Sequence, residues 1–189
     1  MRAPAPPYRG EGPHALWHVS EDPSLVRFEP HHAPTHELDE PLVWAIDTRH
    51  LPLYWFPREC PRCTFWASPR TREEDVAQFL GGERERRIHV IEDGWRERVE
   101  RARLYVYRLP ADTFAEDASI AGYWMSRATV EPLEMVTITD LVARHAAAGI
   151  TLRTEPNLWS LWDGVVRSTL EFSGIRLHNA LPRVGDPAG

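Results

Sequence analysis

Apolar residues along this chain come in short blocks separated by charged or turn-forming stretches, and the blocks have the length of strands rather than helices. ALWHVS (15–20), PLVWAID (41–47), CTFWA (63–67), RIHVIE (87–92), RLYVYRL (103–109), GYWMS (122–126), EMVTI (134–138) and ITLRT (150–154) are each rich in aromatic or β-branched residues and predict strands. Helical signals are fewer. Thr71, with Glu74 three residues on, predicts a capping box ahead of VAQFL, and Gly81 stands where a left-handed cap would end that helix. Asp140 predicts an N-cap for LVARHAAA, which runs up to Gly149. A third helix is expected to open at Pro156, with Leu158, Leu161, Trp162, Val165, Val166 and Thr169 recurring as its buried stripe. Because helices punctuate the strands instead of alternating with them, the pattern predicts an α+β chain, mostly antiparallel, rather than a regular parallel βαβ sheet.

The length of 189 residues and an apolar fraction of 42% with eight Trp fit one domain with its own core, expected over residues 15–182. Four Pro and two Gly within residues 1–14 predict a flexible lead-in, and residues 183–189 a flexible tail. Trp17, Trp44, Trp66 and Trp124 each fall in a predicted strand and are assigned to the core. No apolar run approaches the roughly 20 residues of a membrane helix, and the N-terminal stretch carries no signal-like apolar segment, so a cytoplasmic protein without a membrane partner is expected. A formal charge of −6 argues against non-specific nucleic-acid binding. All 22 basic residues are Arg, which excludes Schiff-base chemistry and the Walker lysine.

Candidate chemistry narrows further. His31, His32 and His36 form HHxxxH beside Glu37, but Pro34 lies between the last two and disfavours the helix that would bring them to one metal, so a polar loop is expected and no metal. Cys60 and Cys63 form CPRC without a second ligand pair, which reads as two partly buried thiols. The charged runs GERERRIH and WRERVERAR read as solvated faces. GxGxxG, GxxxxGK[ST], GxSxG and HExxH are all absent. His18 stands apart: it lies in the middle of an apolar strand, and a period of two puts it on one face with Ser20.

Read in order, LWHVSEDPSLVRFEP, PLVWAIDTRHLPLYWFPRECPR, RLYVYRLPADTF, GYWMSRATVEPLEMVTITDL and NLWSLWDGVVRSTLEFSGIRLHNA resemble a family of uncharacterised bacterial proteins from about residue 16 to residue 181. That resemblance brings no activity with it. More distantly, the order of these blocks is similar to proteins of the ADP-ribosyltransferase-like fold. That second resemblance implies two small splayed sheets with flanking helices around a cleft for NAD, as a substrate for ADP-ribosyl transfer or NAD hydrolysis. It implies that His18 positions a ribose, that Ser20 neighbours it, that Tyr54 or Trp55 stacks on nicotinamide, and that Glu131 or Glu134 polarises the 2′-hydroxyl, where a carboxylate would stabilise developing positive charge. Arg49, Arg58 and Arg62 would offer phosphate forks, and His178 with Asn179 could close one wall. Val19 departs from the small residue usual after the histidine, and neither glutamate stands in an unmistakable signature. A non-catalytic nucleotide- or partner-binding domain, or an RNA 2′-phosphotransferase-like enzyme on the same fold, are the alternatives. The partner expected is a small-molecule nucleotide; the acceptor is not read.

Overall fold

A computed structural model describes residues 15–32, 40–117 and 122–183. The expected lead-in, His36 with Glu37, and positions 184–189 of the expected tail lie outside the described residues. Ten strands follow one another among them: β1 (Leu16–Ser20), β2 (Val43–Asp47), β3 (Arg62–Trp66), β4 (Arg87–Glu92), β5 (Leu104–Leu109), β6 (Ala115–Glu116), β7 (Tyr123–Ser126), β8 (Glu134–Ile138), β9 (Ile150–Glu155) and β10 (Glu171–Ile175). Four α-helices join them, α1 (Glu73–Leu80), α2 (Arg96–Arg101), α3 (Leu141–Ala147) and α4 (Trp159–Arg167). The chain is therefore α+β, with every strand pairing antiparallel except β4 with β9. No helix among the described residues is long and apolar enough to cross a membrane.

The chain divides into two compact units, Met1–Trp55 with Arg103–Ile138, and Phe56–Ala102 with Thr139–Gly189. The first unit holds a six-stranded sheet in the order β6-β7-β2-β1-β5-β8. Residues paired across antiparallel strands share a face, so the register sorts the side chains. Leu16, His18 and Ser20 fall with Leu109, Tyr107 and Tyr105 on one face, and Trp17 and Val19 fall with Ile46, Arg108 and Val106 on the other. The first of these faces carries an apolar core of Leu16, Phe28, Val43, Ala45, Tyr107 and Leu109 with neighbouring side chains. One irregularity matters below. β1 runs beside β5 from Leu16 to Ser20, but it pairs with β2 only at Leu16↔Asp47 and Trp17↔Ile46. Beyond Trp17 the two strands part.

The second unit holds a four-stranded sheet in the order β10-β3-β4-β9. Cys63, Phe65, Ile88 and Val90 bury against Val76 and Leu80 of α1 and Val165 of α4, so the amphipathic helices cover one face of the sheet. Helix α1 ends at Gly81, whose φ of 66° is the left-handed cap that its sequence position predicts. Its start differs from expectation, because the Thr71 hydroxyl is spent elsewhere. It donates to the Thr169 carbonyl at 2.9 Å and accepts from the Ser68 N–H at 2.8 Å, so no capping box forms and Arg72 is the N-cap. Asp140 does cap α3, accepting from the Ala143 N–H. Helix α4 begins at Trp159 rather than Pro156: the Asn157 side chain accepts the Trp159 N–H at 3.0 Å, and Glu92 accepts from the Leu158 N–H. Val166, expected in its buried stripe, is exposed, because the face that meets the sheet centres on Leu158 and Val165. The WRERVERAR run behaves as charge spacing predicts, with Arg96–Glu100 and Arg101–Glu97 paired one turn apart on the outside of α2 and only Val99 buried.

Strand β10 is absent from the sequence reading because EFSGI carries little strand propensity. Its glycine explains why it docks. A Cβ on Gly174 would lie 2.4 Å from Cη2 of Trp162 and 2.7 Å from Cδ1 of Leu177. Trp162 in turn packs edge-to-face on Phe172 at 5.5 Å. Replacing Gly174 by Ala is expected to force this cluster apart and destabilise the fold by about 1–3 kcal/mol. Urea unfolding of the variant reads this directly, and an unchanged midpoint would contradict it.

Candidate functional site

The parting of β1 and β2 opens a hollow of about 80 Å³ in the first unit, lined by Trp17, His18, Val19, Trp44, Ala45, Ile46, Tyr54 and Tyr123. Strand β1 supplies three of these residues and β2 another three, so the break in pairing creates the space. His18 is half-buried at its edge, and its Nδ1–H donates to the Trp44 carbonyl at 3.1 Å. That donation takes the place of the ladder bond lost where the strands separate, and it places a proton on Nδ1, so that in the neutral ring the lone pair is on Nε2. The ring is braced from the side by Phe28, with centroids 4.8 Å apart.

Aromatic residues form the rest of the wall. Tyr123 packs edge-to-face against Trp44, at 6.2 Å and 78°, and against Tyr54, at 6.2 Å and 73°. The Tyr54 and Tyr123 hydroxyls hydrogen-bond to each other. Tyr54 arrives here through a 3-10 turn, Leu51–Tyr54, in which Pro52 presets the backbone and Leu51 and Leu53 are buried. That turn starts at His50, which Asp47 holds twice: the carboxylate accepts the His50 backbone N–H at 2.8 Å and the ring Nδ1–H at 2.8 Å. Gly122 lies against the same ring, and its backbone carbonyl accepts the Asp47 N–H at 2.9 Å. A chain of contacts from Gly122 through His50 and Asp47 thus sets the position of Ile46, Tyr54 and Tyr123 along the hollow.

Of the residues singled out from the sequence, His18 and Tyr54 come together here. Ser20 shares the His18 face, and its hydroxyl accepts the Asp22 N–H at 3.0 Å at the start of the SEDPS turn. Trp55 is buried and is not part of the lining. Glu134 accepts from Arg108 Nε at 3.1 Å and falls, through Arg108, on the face that bears Trp17. It stands two strands away from β1, roughly 10 Å at ordinary strand spacing. Glu131 is exposed, one residue beyond the Val130 that bridges to Phe28. Among the described residues, no arginine or carboxylate lines the hollow.

The remaining candidates lie in the second unit or on loops. Arg58 is exposed beside Glu59, while Asn179 donates to the Glu59 carboxylate at 2.8 Å. Arg62 is buried, donates to the Cys60 carbonyl at 2.9 Å and spreads over the Phe56 ring. Cys60 and Cys63 are free and wholly buried, which pushes both thiols up to about 12 and leaves them poor nucleophiles. His31 is exposed, with Nδ1 against the Glu29 carbonyl.

A second polar arrangement lies deep in this unit. His145 Nδ1–H donates to the Leu141 carbonyl at 2.7 Å, so its Nε2 accepts from His89 Nδ1–H at 3.1 Å. Both rings are inaccessible to solvent and flank Phe56. Burial holds His89 well below the ordinary imidazole range and His145 down to about 4, and the nearby Arg62 and Arg87 guanidiniums press both in the same direction.

A family model described as a family of unknown function (DUF6886) matches residues 17–180. The chain belongs to this family. The match takes in the hollow, the Asp47–His50 support and the buried histidine pair of this DUF6886 chain alike. No curated protein and no solved structure matches it. Trp17 is wholly buried, as its core assignment expects, whereas Trp44, also assigned to the core, is half-buried and lines the hollow with Tyr123, for which the sequence pattern indicates no role. Their place in the lining depends on where β1 leaves β2, which no local pattern encodes. Asp47 and His50 carried one usable signal, a carboxylate and an imidazole three residues apart just ahead of a Pro-bounded turn.

Proposed function

We propose that the chain binds the nicotinamide riboside end of NAD, or of a closely related nucleotide, in the hollow between β1 and β2, in the manner of an ADP-ribosyltransferase-like domain. The observation that carries this reading is the juxtaposition of His18, held by the Trp44 carbonyl, with the half-buried rings of Trp44, Tyr54 and Tyr123 around a space for one ring. The aromatic walls would stack a planar base, and His18 Nε2 would accept a ribose hydroxyl. Binding without turnover is the favoured form, because ADP-ribosyl transfer or NAD hydrolysis would require a carboxylate at the ribose, and Glu131 and Glu134 are outside the lining. The nucleotide phosphates would lie beyond the hollow, whose volume suits one ring and not a dinucleotide.

Thermal unfolding with NAD, ADP-ribose and nicotinamide tests this. At a hundredfold excess over Kd, a ligand that binds only the folded state adds about 2.7 kcal/mol, which for a chain of this size raises Tm by roughly 5–10 °C. NAD and nicotinamide are expected to raise Tm in the wild type, and His18→Ala is expected to lose most of the NAD shift. No shift with any of the three ligands would overturn the reading. Nicotinamide release from NAD, measured on the same samples, is expected to be absent. Release that disappears in Glu131→Gln or Glu134→Gln would replace binding by catalysis.

A further inference from the structure

We infer that the hollow selects a positively charged ring, an N-substituted pyridinium, over a neutral ring of the same shape; this rests on the nucleotide-binding reading and names the charge state its ligand must carry. Trp44 and Tyr54 each stand nearly perpendicular to Tyr123, at 78° and 73°, so a guest meets aromatic surfaces in more than one orientation. Aromatic faces are negative and aromatic edges positive, and several rings set at right angles around one space form the arrangement that holds organic cations. Among the described residues the lining holds no arginine to repel a cation and no carboxylate to pair with it, so the charge would be met by the half-buried rings of Trp44, Tyr54 and Tyr123. A compact ammonium would pay heavily for desolvation in such an apolar place, whereas a pyridinium spreads its charge over a ring and loses little hydration. The volume of about 80 Å³ suits one flat ring. The net charge of −6 adds attraction for a cation at long range.

The test pairs ligands of matched shape and different charge: 1-methylnicotinamide cation against nicotinamide, and oxidised NAD against NADH, by calorimetric titration of the full chain. The cationic member of each pair is expected to bind tighter by on the order of tenfold. Trp44→Leu is expected to erase that ratio and Tyr54→Phe to keep it, since phenylalanine retains the ring face. Equal affinities within both pairs would overturn the inference while leaving nucleotide binding in place. Failure of NAD and NADH alike to bind would overturn the reading beneath it. Choline serves as the non-planar cation, and choline binding as tightly as 1-methylnicotinamide would overturn the assignment to a flat ring.

Discussion

Gly122→Ala is expected to destabilise the protein by about 2–5 kcal/mol and to abolish ligand binding at the hollow. Two costs combine. The φ of 80° at Gly122 is left-handed, a region that costs an L-residue roughly 1–2 kcal/mol. A Cβ there would also lie 2.2 Å from Nδ1 of His50 and 2.9 Å from its Cβ. His50 cannot swing aside cheaply, because Asp47 grips both its ring and its backbone and the ring is buried. Relief would break the Asp47–His50 contact and displace the turn that delivers Tyr54, adding about 1–3 kcal/mol for overpacking. Chemical denaturation measures the first effect and NAD titration the second. A variant with wild-type stability would show that the Gly122–His50 contact is not needed to position the site.

The second large effect is a loss of stability on mild acidification. Unfolded histidines take up a proton near pH 6.5, while the folded chain holds His89 and His145 neutral to lower pH. The unfolded state therefore binds more protons below pH 6.5, and stability falls as pH drops from there toward the folded value of about 4 for His145. Between pH 6.5 and 5 that histidine alone removes roughly 1.5 kcal/mol, and His89 acts in the same direction. The geometry gives the reason. In the relay from His89 to His145 to the Leu141 carbonyl, each ring donates through Nδ1, so a proton added at His145 Nε2 would face the His89 N–H. Carboxylates held low by their hydrogen bonds, such as Asp75 by Thr169 and Asp163 by Arg183, lose their contribution only below about pH 4.5, outside this window. Urea midpoints at pH 7.5, 6.5, 5.5 and 5.0 check the prediction. His145→Gln is expected to be less stable at pH 7.5 and to flatten the dependence between pH 6.5 and 5. A wild type equally stable at pH 7.5 and 5.0 would refute it.

Much of the fold was legible in local pattern. All eight strands expected from aromatic and β-branched blocks are present, because those residues fit a half-buried pleated surface wherever it forms. Gly81 and Asp140 were legible as caps, since each satisfies orphan backbone groups within its own turn. Thr71 failed as a cap because its hydroxyl oxygen accepts the Ser68 N–H behind it instead of an N–H of the helix ahead, while its proton goes to the Thr169 carbonyl nearly a hundred positions away. The two-residue β6 carries too little sequence for a pattern, and β10 is a strand only because β3 and Trp162 make room for it. At the site, His18 stood out as a polar residue central to an apolar block, and Tyr54 by its Pro-bounded aromatic run. Trp44 and Tyr123 did not, because a tryptophan or tyrosine in a strand looks the same whether it fills a core or lines a hollow.

The amino-acid sequence by itself determined the class: short apolar blocks of period two, with amphipathic helices between them, can bury their faces only as an α+β arrangement with antiparallel pairing dominant. It also determined that Arg carries all the basic chemistry. Tertiary structure alone decided that β1 stays with β5 for five pairs and leaves β2 after two, because register is a property of two strands at once. That divergence is what turns His18 from one more strand residue into the edge of a hollow, and brings the rings of Trp44, Tyr54 and Tyr123 around it.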